Sequence, residues 1–185
     1  MRGTRLVTFG LIAIALSVGP NPLSAGILPA PVGDQDQKAK PNKADRLEAI
    51  ANELLAECDM DTWVRAAELF EVSARLRPED SQDRVRSLKT AANLFSSMGV
   101  KERARDLFQE AAEEAWQMGD LAFAANSYLD AAVLSAELKM GRHTVDAARM
   151  ASRLAASPEM SSGDRDIIET RLEQLGLPLH LGQIL

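Results

Sequence analysis

From Ala44 to Leu175 apolar residues recur every three to four positions, the period of a helix with one buried face. Interruptions divide the pattern into predicted helices at about 44–57, 61–76, 81–97, 101–117, 121–139, 143–156 and 164–175. The first carries Leu47, Ile50, Leu54 and Cys58 as its stripe, and the second Trp63, Ala67, Phe70 and Ala74. The fourth carries Ala104, Phe108, Ala111 or Ala112, and Ala115 with Trp116; the fifth carries Leu121, Ala125, Tyr128, Ala132 and Ser135. Asp59 and Asp61 separate the first two segments, and Pro78 closes the second. Met98-Gly99, Met118-Gly119 and Met140-Gly141 close the later ones. Glycine just past a helix end takes the left-handed conformation at no steric cost. Turns this short force consecutive helices to pack antiparallel. The fold expected is all-α, an antiparallel helix-hairpin solenoid of about seven helices.

The flanks break the period. Residues 1–26 have the layout of an export signal: Arg2 and Arg5, the uncharged run Leu6–Val18, Pro20 and Pro22, then small residues at Ser24-Ala25-Gly26. The run is shorter than the roughly 20 residues of a spanning helix. The alternatives are an uncleaved anchor or a buried first helix. Export predicts a periplasmic or envelope address in a bacterium, with membrane contact only through an uncleaved signal. Residues 27–43 are rich in proline and polar residues and predict a flexible linker. The repeat domain is expected over 44–175 and a short tail over 176–185. The apolar run Leu177–Leu185 is expected to fold back on the last helix pair, with a docking peptide as the alternative.

Composition narrows the function classes. Twenty-one Lys and Arg stand against 27 Asp and Glu, a net charge of −6, and the basic residues are interleaved with acids. Loss of Arg2 and Arg5 with the signal makes the balance more negative still. A nucleic-acid surface needs a concentrated basic stripe, so no nucleic-acid partner is expected. One cysteine excludes an intrachain disulfide and a cysteine-based zinc site. Cys58 lies on an apolar stripe and is expected to be a small buried hydrophobe, with a reactive thiol as the alternative. The two histidines, His143 and His180, supply little for a metal centre. His143 lies near Asp146, but Gly-x-Ser-x-Gly, His-Glu-x-x-His and glycine-rich phosphate loops are missing from the sequence. No catalytic residue, cofactor or metal is expected, and the chain is not read as an enzyme.

The stripes also resemble one another. Ala66-x-x-x-Phe70-x-x-Ser73, followed by Pro78, has the spacing of the second helix of a tetratricopeptide repeat. Ala104-x-x-x-Phe108-x-x-Ala111 repeats it, as does Ala124-x-x-x-Tyr128-x-x-Ala131. Leu88, Ala91, Ala92, Phe95 and Gly99 resemble the first helix of that repeat, in register with Ala104 and Phe108. Residues 47–80 and 85–118 thus resemble two tetratricopeptide units, and 121–156 a degenerate third with Thr144 and Ala148 where Ala and Phe are expected. The helix at 164–175 would cap them. The longer later helices also resemble the repeats of SNAP-type adaptors. The resemblance implies a protein-protein interaction module that binds through the first helix of each pair.

On the third helix Arg86, Lys89, Asn93 and Ser97 fall opposite the packed stripe. The resemblance places Lys89 and Asn93 where carboxylate-clamping members of the family carry a Lys and an Asn. A cation and an amide can share one carboxylate. The fifth helix adds Asn126, and then Asp130, which by itself repels such a ligand. The candidate partner-binding residues are Arg86, Lys89, Asn93 and Asn126. Trp63, Trp116 and Tyr128 occur at helical spacing among alanines and are expected in the core, with the lining of a peptide groove as the alternative. The leading function is a scaffold or adaptor for a protein or peptide partner, of unknown oligomeric state. The alternative is a small-ligand-binding or accessory subunit of an envelope enzyme or transport system.

Overall fold

Helices begin where a side-chain oxygen or a tight turn captures the first free amides. The computed structural model describes residues 42–57 and 59–176. Among these, seven helices follow one another: α1 (Lys43–Leu55), α2 (Met60–Arg75), α3 (Gln82–Ser97), α4 (Lys101–Gln117), α5 (Leu121–Glu137), α6 (Gly141–Ala155) and α7 (Ser162–Gln174). Asn42, Ser81, Asp120 and Ser161 cap α1, α3, α5 and α7 by accepting the amide three residues on.

The turns after α3, α4 and α5 are one motif used three times. Val100 N–H donates to the Phe95 carbonyl at 2.9 Å, Asp120 N–H to Ala115 at 2.9 Å, and Met140 N–H to Ser135 at 2.8 Å. Gly99, Gly119 and Lys139 supply the left-handed residue just before, at φ 77°, 81° and 60°. These are Schellman closures whose last residue also serves as the N-cap of the next helix. Here the sequence expectation is corrected. Gly141 is not the left-handed terminator of α5 but the first residue of α6, and Lys139 takes that conformation instead. The motif is counted from the last helical turn, which ends at Leu138.

Each helix packs against the next, and side-chain links show two layers. Odd helices are joined side by side: Ser87 of α3 donates to Glu48 of α1 at 2.5 Å, and Arg171 of α7 to Asp130 of α5 at 2.6 Å. In the even layer, Arg75 of α2 donates to Glu110 of α4 at 2.7 Å. The all-α helix-hairpin solenoid expected from the pattern is therefore the observed architecture. Its core is built from alanines that allow close approach (Ala66, Ala67, Ala91, Ala92, Ala104, Ala111, Ala125, Ala132, Ala148), with Leu88, Phe95, Phe108 and Tyr128 between them. Thr144 and Ala148, the two departures in the third unit, are both buried.

Two stripe residues are corrected. Ile50 is 47% exposed, because α1 turns Ala44 and Ala51 inward and only half-buries Leu47 and Leu54. Among the described residues α1 is an end helix with no neighbour on its outer side. Trp116 is 48% exposed, since Ala112 and Ala115 hold the buried line of α4 and Trp116 lies about 100° past Ala115. The signal at 1–26, the linker as far as residue 41, Cys58 and the tail from 177 to 185 lie outside the described residues. Lys43, expected in the linker, opens α1. No described helix is long and apolar enough to cross a membrane.

Candidate functional site

Periodicity puts Leu88, Ala91, Ala92 and Phe95 inside, so Arg86, Lys89 and Asn93 emerge on the opposite side of α3. Arg86 is exposed and, among the described residues, pairs only with Asp83 of its own helix, at 3.4 Å. Asn93 is exposed one turn further on, its carbonyl accepting from the Ser97 hydroxyl at 2.7 Å. Lys89 lies between them and reaches α5. Its Nζ is 3.9 Å from Asp130 Oδ2 and 4.4 Å from the centre of the Phe123 ring.

Asn126 is half-buried on α5, one turn from Asp130. Its Nδ2 donates to the Ala122 carbonyl at 2.9 Å, and its Oδ1 accepts from Arg171 at 2.9 Å. The second arm of Arg171 donates to Asp130 at 2.6 Å. One polar strip therefore runs over α3, α5 and α7 through Lys89, Asp130, Asn126 and Arg171. It brings Lys89 and Asn126 together and leaves Arg86 and Asn93 one turn to either side. The expectation for Asp130 changes. Its charge is met by two cations, so it does not stand as a bare repulsive carboxylate. Sequence reasoning missed Phe123 and Arg171. Phe123 sits three residues before Asn126, a spacing that puts both on one helix face. Arg171 is 41 residues from Asp130, and no local pattern connects them.

A second polar assembly joins α2, α3 and α4. Arg84 of α3 donates to Glu114 at 2.8 Å and to Glu110 at 3.3 Å, beside the Arg75–Glu110 pair, and Arg103 of α4 pairs with Glu71 of α2. Glu114 is buried and one of its oxygens has no hydrogen-bond partner among the described residues. Burial pushes its carboxyl up, and the Arg84 charge only partly opposes this. Glu48 shows the opposite balance. Burial pushes it up, but Ser87, Ser73 and Arg77 all donate to one of its oxygens and hold it below the usual carboxylate value. These groups knit helices together.

Between α4 and α6 lies an open cleft of about 490 Å³ with Tyr128 of α5 at its floor. Trp116 and Glu113 line the α4 side, and His143, Asp146 and Met150 the α6 side. Tyr128 is 5% exposed, and its hydroxyl has no hydrogen-bond partner among the described residues. Its pKa is pushed up to about 12, first by burial and then by the Glu113 charge. Glu113 accepts from Gln109 at 2.9 Å and forms no ion pair among the described residues. Asp146 faces Arg149 at 3.4 Å and Arg142 at 3.8 Å. Tyr128 and Trp116, both expected in the core, thus divide: the first is core and floor, the second a half-exposed wall. Among the described residues no group of His, Cys, Asp and Glu is arranged to hold a metal ion. No protein-family model, curated protein or solved structure matches this chain.

Proposed function

We propose that this chain is an exported interaction module of tetratricopeptide type, placed in a bacterial envelope and without chemistry of its own. It holds a segment of a protein partner on the face shared by α3, α5 and α7. The observation that carries this reading is the geometry around Asp130. Arg171 holds that carboxylate tightly at 2.6 Å, while Lys89 stands off at 3.9 Å over an aromatic ring. A carboxylate is thus already seated between two cations, in the manner a partner's carboxylate would adopt. Lys89 is the cation least committed to it and the easiest to recruit. Asn93 is exposed beside Lys89 to add a donor. The repeated hairpins supply the extended rigid face that such binding uses.

The test is capture from envelope extract by the immobilised chain beside a Lys89→Glu, Asn93→Ala variant, with bound proteins identified by mass spectrometry. A partner retained by the native chain and lost by the variant supports the site. Equal recovery by both overturns the placement, and no recovery by either overturns the adaptor reading.

A further inference from the structure

The cleft between α4 and α6 belongs to the other layer, and its lining shares no residue with the α3–α5–α7 face. Its volume of about 490 Å³ falls in the range of ligand clefts, roughly 300–1,000 Å³. Three features of its lining are unspent. The Trp116 indole is half exposed, though large aromatic rings gain most when covered. Glu113 carries a charge that no cation meets among the described residues, while Asp146 across the cleft already faces Arg142 and Arg149. Tyr128 is more than nine-tenths buried and lines the cleft, and its hydroxyl makes no hydrogen bond among the described residues. The remaining titratable group, His143, stands on the α6 wall.

We propose that this cleft receives an arginine side chain from an extended segment of a protein partner, its guanidinium stacked on the Trp116 indole and paired with Glu113. The chemistry selects arginine. A planar guanidinium stacks on an aromatic face and offers a fork to one carboxylate, whereas an ammonium does neither as well. The Tyr128 hydroxyl stays protonated at physiological pH and donates to a backbone carbonyl of the segment, which fixes its direction. Charge complementarity favours the same occupant, because the chain is net negative at −6.

The chain has two tryptophans, so the indole N–H signals of Trp116 and Trp63 can be followed separately by NMR in the full chain. The probe is the capped pentapeptide Ala-Gly-Arg-Gly-Ala, beside the same peptide with the neutral isostere citrulline, and methylguanidinium alone. The expected result is a saturable shift of Trp116, with Trp63 unmoved. Binding should weaken by about tenfold or more with citrulline and in Glu113→Gln, and should fall with added salt. Tyr128→Phe should weaken the peptide more than methylguanidinium. An unmoved Trp116, equal response to citrulline, or full binding by Glu113→Gln overturns the proposal. Methylguanidinium binding as tightly as the peptide overturns the chain segment as occupant. Helical circular dichroism and the Trp63 signal report whether each variant remains folded.

Discussion

The even layer has two seams, and they are finished differently. Between α2 and α4 the seam is closed by charge. Arg75 and Glu110 pair across it, as do Arg103 and Glu71, and Arg84 leans in from α3 to reach Glu110 and Glu114. Between α4 and α6 no ion pair joins the helices among the described residues, and the cleft floored by Tyr128 remains open. The alanine packing beneath is alike, with Ala104 and Ala111 on one helix and Ala148 and Ala151 on the other, all fully buried. Small residues set how close the helices come. The charged and aromatic residues at the stripe's edge decide whether the seam seals or stays available.

Phe108 tests the shared part. It is 3% exposed on α4, the helix that borders both seams. Phe108→Ala is expected to cost on the order of 3–5 kcal/mol in denaturant melts, whatever the salt concentration. A cost below about 1 kcal/mol would mean that the core beneath the seams is not common to both.

Arg84→Ala strips the closed seam. It leaves Glu114 buried beside Glu110 without its guanidinium, and the expected loss at neutral pH is about 2–4 kcal/mol. The pH dependence comes from the upward shift of Glu114. Its native carboxyl binds a proton more tightly than the unfolded one, so this group favours the folded state as pH falls through the raised native value and opposes it above. Without Arg84 the shift grows. The penalty should therefore shrink on acidification, read as converging melts of variant and native chain. A penalty independent of pH would assign Arg84 to packing alone.

Much of the fold was legible because helical period and terminator glycines are local signals. Ala66, Phe70 and Ser73 in α2 and Ala104, Phe108 and Ala111 in α4 are buried as their spacing implies. Where the reading slipped, the deciding partner was remote. Ile50 satisfies the period of α1 but has no neighbour among the described residues to cover it, and Trp116 lies at the edge of its stripe rather than in it. The candidate strip was half legible. Lys89 and Asn126 could be placed on outward faces, but Asp130 read as repulsive until Arg171 arrived from a helix 41 residues away. The cleft was legible only as an alternative, Trp116 and Tyr128 lining a groove, because it is a gap between α4 and α6 that no local pattern places.

The turn into the open seam offers a smaller test. Lys139 holds φ 60°, where the equivalent turns use Gly99 and Gly119. Lys139→Gly relieves the clash of Cβ with the backbone and should raise stability by up to about 1 kcal/mol, net of the entropy that glycine adds to the unfolded chain. Gly119→Ala should lose about the same, through backbone strain alone, because nothing lies within 4 Å of the added Cβ. If both substitutions proved neutral in thermal melts, the three turns would not share one energetic logic.

The smallest effect is the one that separates the seams most sharply. Glu113 is exposed at the rim of the cleft, and its only hydrogen bond among the described residues is from Gln109, one turn away on the same helix. Glu113→Gln removes a charge that no cation meets among the described residues and leaves an amide of the same shape that can still accept from Gln109. The change in stability should lie within about ±0.5 kcal/mol. Glu114, the next residue, faces the closed seam, and there the same substitution removes the charge that Arg84 meets at 2.8 Å, leaves Arg84 to Glu110 alone, and should cost several times more. Two neighbouring glutamates on one helix then differ because one charge is committed to the fold and the other is left for a partner. Equal losses in denaturant melts would erase that distinction and make the cleft an unfilled joint rather than a receptor.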